Sequence, residues 1–274
     1  MRVTEINLNL KNSNQDSASF LDVLAASAYI SIAEGYYDID TLLEASHQDL
    51  GQCIRKCSKN AVITEIKFVS PSEGIIKIES DVTSIAKAMF RGGVVGLSVL
   101  TEPKNFGGSL ENFRKIRRTV NLPLIMKDIV ISKKQLDAAS KIGADVILLI
   151  KSLFDIGRCD STLEETIRYA HSRDLQVLLE VHNKEEFEKA VLTNADLIGI
   201  NNRNLNTLSV DIYNTRKILE SANRGNKVIV SESGIKTAED IQFLRQAGAD
   251  AFLIGTSIMK AKNITSKVQE LVEA

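Results

Sequence analysis

Pro123-Leu124-Ile125-Met126-Lys127-Asp128 is a short apolar run that ends in a lysine. In an extended chain the side chains alternate, so Ile125 and Lys127 share one face while Leu124 and Met126 share the other. Whichever face is buried, a charge stands at its rim. Four further runs repeat the design: 62–67 ends in Glu65 and Lys67, 177–181 carries Glu180, 197–201 ends in Asn201, and 227–232 ends in Glu232. An ionised group left unpaired in a dry interior costs on the order of several kcal/mol. One polar residue at the carboxyl end of each of several apolar runs therefore reads as a site whose members meet, not as packing.

Outward from these runs, strand and helix patterns alternate. Strands are expected over 61–67, 94–100, 122–127, 145–150, 176–181, 196–201, 227–232 and 250–254, with helices over 82–90, 110–118, 133–141, 161–173, 184–192, 211–221, 237–246 and 263–272. Eight strands, each followed by a helix, predict an α/β fold of the closed (β/α)8 TIM barrel type over 61–274. An internal echo supports the ring: Gly143-Ala144-Asp145, Asn194-Ala195-Asp196 and Gly248-Ala249-Asp250 each precede an apolar strand, about two βα units apart. Each is read as a left-handed Gly or Asn cap, a tight turn and a buried parallel strand. The alternative, an open doubly wound sheet, wants a glycine-rich turn after its first strand, and Lys67-Phe68-Val69-Ser70-Pro71-Ser72 contains no glycine. Residues 1–60 are read as an amino-terminal helical extension, one helix around Phe20 to Ile32 and a second over 40–57, so that 1–274 form a single domain.

With 34 basic and 35 acidic residues among 274, there is no bulk charge to attract nucleic acid or an anionic membrane, and any anion must be bound locally. The start, Met1-Arg2-Val3-Thr4-Glu5, lacks a signal-peptide pattern, and apolar runs such as 146–150 are far too short to span a bilayer, so a cytoplasmic protein is expected. Three cysteines make no disulfide framework; Cys53 and Cys57, with only His47 nearby, lack the further ligands of a zinc site, and no metal is expected. His182 lies two residues after Glu180, at the same strand tip, and is read as a rim residue.

In a barrel of this kind the site lies at the carboxyl ends of the strands, which places Glu65, Lys67, Lys127, Glu180, Asn201 and Glu232 around one mouth. Two lysines among three glutamates lower one another's burial penalty and pull their pKa values apart, as proton transfer requires. The bland alternative is a structural ion-pair ring that plugs the barrel. A second signal is phosphate binding. Ser233-Gly234 follows the seventh strand and Gly255-Thr256 the eighth, where free amides and close backbone approach favour an anion. Phe106, Leu148, Ile150 and Leu208 fall beside the same mouth, where they would wall an aromatic slot or simply belong to the core.

Taken in order, Glu65-Ile66-Lys67 with Ser70-Pro71-Ser72, Ser98-Val99-Leu100-Thr101-Glu102, Leu124-Ile125-Met126-Lys127-Asp128, Leu179-Glu180-Val181, Gly199-Ile200-Asn201-Asn202-Arg203-Asn204-Leu205, Ser231-Glu232-Ser233-Gly234-Ile235 and Leu253-Ile254-Gly255-Thr256-Ser257 resemble the indole-3-glycerol-phosphate synthase family over about 61–260. The resemblance implies a carbon–carbon lyase of tryptophan biosynthesis. Its substrate would be the phosphorylated anthranilate-sugar 1-(2-carboxyphenylamino)-1-deoxyribulose 5-phosphate, closed to indole-3-glycerol phosphate with loss of carbon dioxide and water. It implies Lys127 as the acid of ring closure, Glu180 as the base of dehydration and Lys67 as a second proton donor, charge partner and phosphate neighbour. Glu65, Asn201 and Glu232 would orient the sugar hydroxyls and the lysines; Ser233, Gly234, Gly255 and Thr256 would hold the phosphate. Ser70 would contact substrate, Arg203 would position a carboxylate or the neighbouring loop, and the four apolar residues would pack on the anthranilate ring. The substrate's own amine supplies the electron push, so no cofactor is expected, nor any partner beyond the small molecule; a monomer is expected. The chain departs from the family at Phe68 and Val69, where basic residues are usual, and at Ile129, where phenylalanine is usual. These changes bear on affinity more than on chemistry. An isomerase or lyase of a related sugar phosphate, and a non-catalytic phosphate-binding subunit, remain the alternatives.

Overall fold

Eight strands close into a parallel barrel in chain order: β1 (Ala61–Ile66), β2 (Gly96–Leu100), β3 (Leu124–Lys127), β4 (Val146–Ile150), β5 (Gln176–Val181), β6 (Leu197–Asn201), β7 (Val228–Glu232) and β8 (Ala251–Ile254), with β8 pairing back onto β1. The computed structural model describes residues 19–43, 47–71, 73–77, 81–205 and 207–274. Residues 1–18 of the expected extension, part of its second helix, and Ser72 of the Ser-Pro-Ser motif lie outside the described residues. The predicted barrel is thus the observed one, its strands starting up to two residues later than the apolar runs suggested.

Strand alternation sorts the core into two layers. Val62, Leu124, Met126, Ile147, Leu179, Ile198 and Ile229 pack outward beneath the helices. Ile63, Ile125, Leu148, Leu178, Leu197 and Val230 fill the barrel. Two residues on from these inward positions come Glu65, Lys127, Ile150, Glu180 and Glu232, so the period of two carries the interior row from hydrocarbon to charge at the carboxyl end. Around the ring stand α3 (Val82–Arg91), α4 (Leu110–Arg117), α5 (Lys133–Lys141), α6 (Lys151–Asp155), α7 (Leu163–His171), α8 (Lys184–Val191), α9 (Tyr213–Ser221), α10 (Ala238–Gln246), α11 (Thr256–Met259) and α12 (Ile264–Val272). The short α6 and α11, and a two-residue hairpin pairing Val69–Ser70 with Gly74–Ile75, are too brief for periodicity to reveal.

The internal echo has a specific cause. Asp145 accepts from the N–H of Leu124, Asp196 from that of Val177 and Asp250 from that of Ile229, each at 2.8 Å, so each aspartate clasps the start of the preceding strand in the ring. Gly143 and Gly248 take the expected left-handed conformation (φ 78° and 103°), but Asn194 does not. The repeat is therefore held by its aspartate, with the left-handed cap present only where glycine makes it cheap.

The extension covers both ends of the barrel. α1 (Phe20–Ala33), capped by Ser19 with Asp22 reaching back, packs Leu21, Leu24, Ala25 and Ala28 on Ile129, Ile131 and Leu153 at the carboxyl side. Behind it Tyr36 donates to the Thr101 carbonyl (2.9 Å) and Tyr37 to Asp128 (2.8 Å). At the amino end α2 (Leu50–Lys56) seals the barrel, with Leu50 N donating to Gln176 Oε1 at 2.8 Å. The helix expected over 40–57 is corrected to these seven residues. The amides of Leu43 and Gln48 are committed to Lys141 and Asp145, and the helix starts only at the Asp49 cap. Among the described residues no helix is long and apolar enough to cross a membrane.

Candidate active site

The carboxyl ends of the strands open into a cavity of about 890 Å³ whose walls include all sixteen residues singled out in the sequence. From β1 and the residue after it come Glu65 and Lys67, with Lys67 Nζ 2.7 Å from Glu65 Oε1. Across the barrel Lys127 Nζ lies 3.5 Å from Glu180 Oε2 and 3.9 Å from Glu232 Oε2. Glu65, Glu180 and Glu232 are buried, while the two lysines keep a little exposure toward the cavity. Asn201, at the end of β6, accepts from the N–H of Arg203 at 2.9 Å. The charges thus alternate in sign across the mouth.

Two glycines make this crowding possible. A Cβ on Gly199 would stand 2.1 Å from Glu232 Oε1, and one on Gly255 would stand 2.9 Å from Glu65 Oε1 and 3.0 Å from Lys67 Cε. The sequence reading took Gly255 for phosphate approach alone; here it also leaves room for the first-strand ion pair. Burial disfavours every charge in the cluster, and the neighbours decide which survive. Burial pushes the Lys127 ammonium down, but Glu180, Glu232 and Glu65 together hold it well above its usual range. Burial likewise pushes Glu180 up, yet Lys127 and His182 keep it ionised and low. Glu232, buried next to the Glu180 charge, is driven up and tends to hold a proton. Two carboxyls beside one ammonium are thus pushed in opposite directions. Among the described residues Glu180 Oε2 and Glu232 Oε1 are buried without a hydrogen-bond partner.

The turns after β7 and β8 form one corner. Ser233 and Gly234 both lie at positive φ (69° and 87°), and a Cβ on Gly234 would come within 2.5 Å of Val210, so position 234 favours glycine. Gly255 caps α11, whose first residue is Thr256, and Ser70 on the hairpin lines the same cavity. The apolar side holds Phe106, Leu148, Ile150 and Leu208. Glu102 builds the loop that carries Phe106, accepting from the N–H groups of Lys104, Asn105 and Phe106. Arg203 Nη1 donates to the Leu208 carbonyl at 2.9 Å and so holds the loop that brings Leu208 in.

The sequence reading missed two wall residues, Phe20 and Leu24, which reach the cavity from α1. Their helical spacing was visible, but nothing local says that this helix lies over the mouth. It also passed over Asp128, a cavity residue fixed by Tyr37, Thr101 and the Ile129 N–H and pushed by burial up to about 7. Among the described residues no group of three or more His, Cys, Asp or Glu side chains is arranged to hold a metal ion.

Known proteins are similar to this chain in sequence and in fold. Residues 20–271 match the family model described as indole-3-glycerol phosphate synthase. Curated proteins of that name are similar in sequence: that of Methanocaldococcus jannaschii is 43% identical over 81% of this chain and 82% of its own, and that of Acetivibrio thermocellus 41% over 77% and 79%. Among solved structures, the fold is similar to an N-acetylmannosamine-6-phosphate 2-epimerase from Clostridium perfringens (TM-score 0.59, 14% identity, 82% of this chain and 97% of that one), a likeness of fold alone. The chain belongs to the indole-3-glycerol-phosphate synthase family.

Proposed function

We propose that the cavity closes 1-(2-carboxyphenylamino)-1-deoxyribulose 5-phosphate to indole-3-glycerol phosphate, with the family's reaction divided among the residues above. The observation that carries this reading is Lys127, 3.5 Å from Glu180 and 3.9 Å from Glu232 at the centre of the mouth. In ring closure the aryl carbon bearing the carboxylate attacks the ketone carbon, and Lys127 gives its proton to the ketone oxygen. Carbon dioxide then leaves, its bonding electrons returning to the ring. In dehydration Glu180 takes a proton from the ring system while the hydroxyl departs as water with a proton from a lysine, Lys67 or Lys127. One proton is consumed overall, balancing the substrate carboxylate that leaves as carbon dioxide.

The surrounding residues hold the substrate still, which supplies much of the acceleration. The turns at Ser233, Gly234, Gly255 and Thr256, with Lys67, take the phosphate, while Phe106, Leu148, Ile150 and Leu208, joined by Phe20 and Leu24, flank the aromatic ring. Glu65, Asn201 and Glu232 orient the hydroxyls and the lysines; Ser70 contacts the substrate, and Arg203 holds its loop near the substrate carboxylate. The enzyme acts on this small molecule as a monomeric, single-domain cytoplasmic protein, with neither nucleic acid nor membrane as partner, and the chemistry calls on no cofactor. A non-catalytic phosphate binder has no need of Lys127 and Glu180 held 3.5 Å apart in a buried setting. The test is a fluorescence assay for indole-3-glycerol phosphate. Wild-type protein forms the product, and Lys127→Ala lowers turnover by about 10²-fold or more while the fold persists; unchanged turnover in that variant refutes the role of Lys127.

A further inference from the structure

His182 does not touch the substrate cavity. It lines a second cavity, about 410 Å³, whose walls include Asn183, Glu186, Ser209, Asp211 and Asn214. Its Nε2 lies 3.2 Å from Glu180 Oε1, and its Nδ1 lies 3.5 Å from Glu186 Oε2 on the first turn of α8. The backbone is fixed as well: the His182 N–H donates to Glu186 Oε2 at 2.8 Å, and its carbonyl accepts from Asn214 Nδ2 at 3.1 Å. The two oxygens of Glu180 are therefore treated differently. Oε1 lies 3.2 Å from the imidazole, an ion-pair contact in which His182 Nε2 has no hydrogen-bond partner among the described residues, whereas Oε2 stands 3.5 Å from Lys127, likewise buried and without one.

We propose that His182 is a positioning residue for Glu180: clamped from behind by Glu186, it engages Oε1 and so keeps Oε2 turned toward Lys127 and the reacting atoms. The inference rests on the reading of Glu180 as the base. The terminal torsion of a glutamate is soft and nearly two-fold, so a carboxylate without a fixed partner samples several orientations. A base held by a third group samples one. Charge supports the geometry. Burial pushes His182 down, but Glu180 and Glu186 raise it to about 9, so it is an imidazolium at neutral pH. The charged groups that face it are Glu180 from its own strand and Glu186 from α8, with Asp211 across the second cavity. Glu232 also interacts with it directly, and Lys151 acts on its partner Glu186.

His182 does not line the substrate cavity itself, although Asn201 and Leu205 border both cavities, so its removal is expected to act on rate more than on binding. His182→Ala is expected to lower kcat about tenfold to hundredfold with KM nearly unchanged. The acidic limb of the kcat profile moves up by about one pH unit or more, since Glu180 loses a cationic neighbour. Imidazole added at pH 6 enters through the second cavity and restores part of the rate to His182→Ala but none to Glu180→Gln. Where His182→Ala fails to fold by circular dichroism, His182→Gln decides, keeping a donor without the charge: a smaller loss of kcat and the same displaced limb support the proposal. Active wild type, inactive Glu180→Gln and a folded His182 variant with kcat within about twofold and an unmoved limb overturn it, and leave the proposed function standing. A rise in KM at constant kcat overturns it too. Wild type that forms no product refutes the proposed function itself, and the positioning role falls with it.

Discussion

The two ends of the barrel are built from the same strands and closed by the same extension, yet they are opposite in chemistry. At the amino end α2 seals the interior with Leu50 and Ile54 over Ala61, Val146, Leu197, Val228 and Ala251, and the polar groups there, Asp145 with Arg117 at 2.7 Å, are fully engaged in holding strands together. At the carboxyl end α1 lies over a cavity into which Glu65, Lys67, Lys127, Glu180 and Glu232 project, and two of their oxygens have no hydrogen-bond partner among the described residues. Buried polar groups are normally satisfied, and the unsatisfied carboxylate oxygens in this cluster stand out against the engaged groups of the amino end. The difference teaches that a single row of inward positions serves two purposes, with hydrocarbon below and a charged cluster above.

The largest test of this contrast is Lys127→Ala, expected to lower kcat by about 10²- to 10⁴-fold, the range of general acid–base catalysis, with little change in melting temperature. A collapse of the fold instead would mean that the charge ring is structural and the two ends are alike. Leu50→Ala at the opposite end inverts the expectation. Fully buried, it should destabilise by about 2–5 kcal/mol in denaturant unfolding while kcat per folded molecule is kept. Smaller still is Gly199→Ala. The added Cβ displaces the flexible tip of Glu232, so turnover falls about tenfold with only a slight loss of stability; equal activity would show that Glu232 has room to spare. A last test is a pH dependence at Asp128. Burial raises its folded pKa from 3.8 to about 7, so the native state binds a proton more tightly than the unfolded chain. Its stabilising contribution is complete below about pH 4 and is lost as pH rises through about 7. Melting temperatures should therefore fall more between pH 4 and 7 in wild type than in Asp128→Asn, and parallel curves would place Asp128 outside this balance.

Much of the mouth was legible before any coordinates, because alternation is a local rule. Ile125 and Lys127, or Leu178 and Glu180, share a face in any strand, and apolar runs ending in charge repeat around the chain. The Gly-Ala-Asp turns announced the ring in the same way, although the role of each aspartate in clasping a strand about twenty residues earlier was hidden in them. His182 shows the limit. Its place beside Glu180 was visible, but it was read as a rim residue, since what distinguishes it is Glu186 behind and an adjoining cavity beside it. Phe20 and Leu24 illustrate the same point across a longer separation.

By itself, then, the sequence determined the eight strands, the faces they present and the residue types gathered at their carboxyl ends, because the period of two and helix capping act over a few residues. Only the tertiary structure decided that Lys127 stands between Glu180 and Glu232, that Gly199 and Gly255 make room for the carboxylates, and that α1 and α2 part to opposite ends. Those facts depend on how the barrel closes and on which hydrogen bonds compete for Leu43 and Gln48, and such pairings between distant residues leave no periodic trace in the chain.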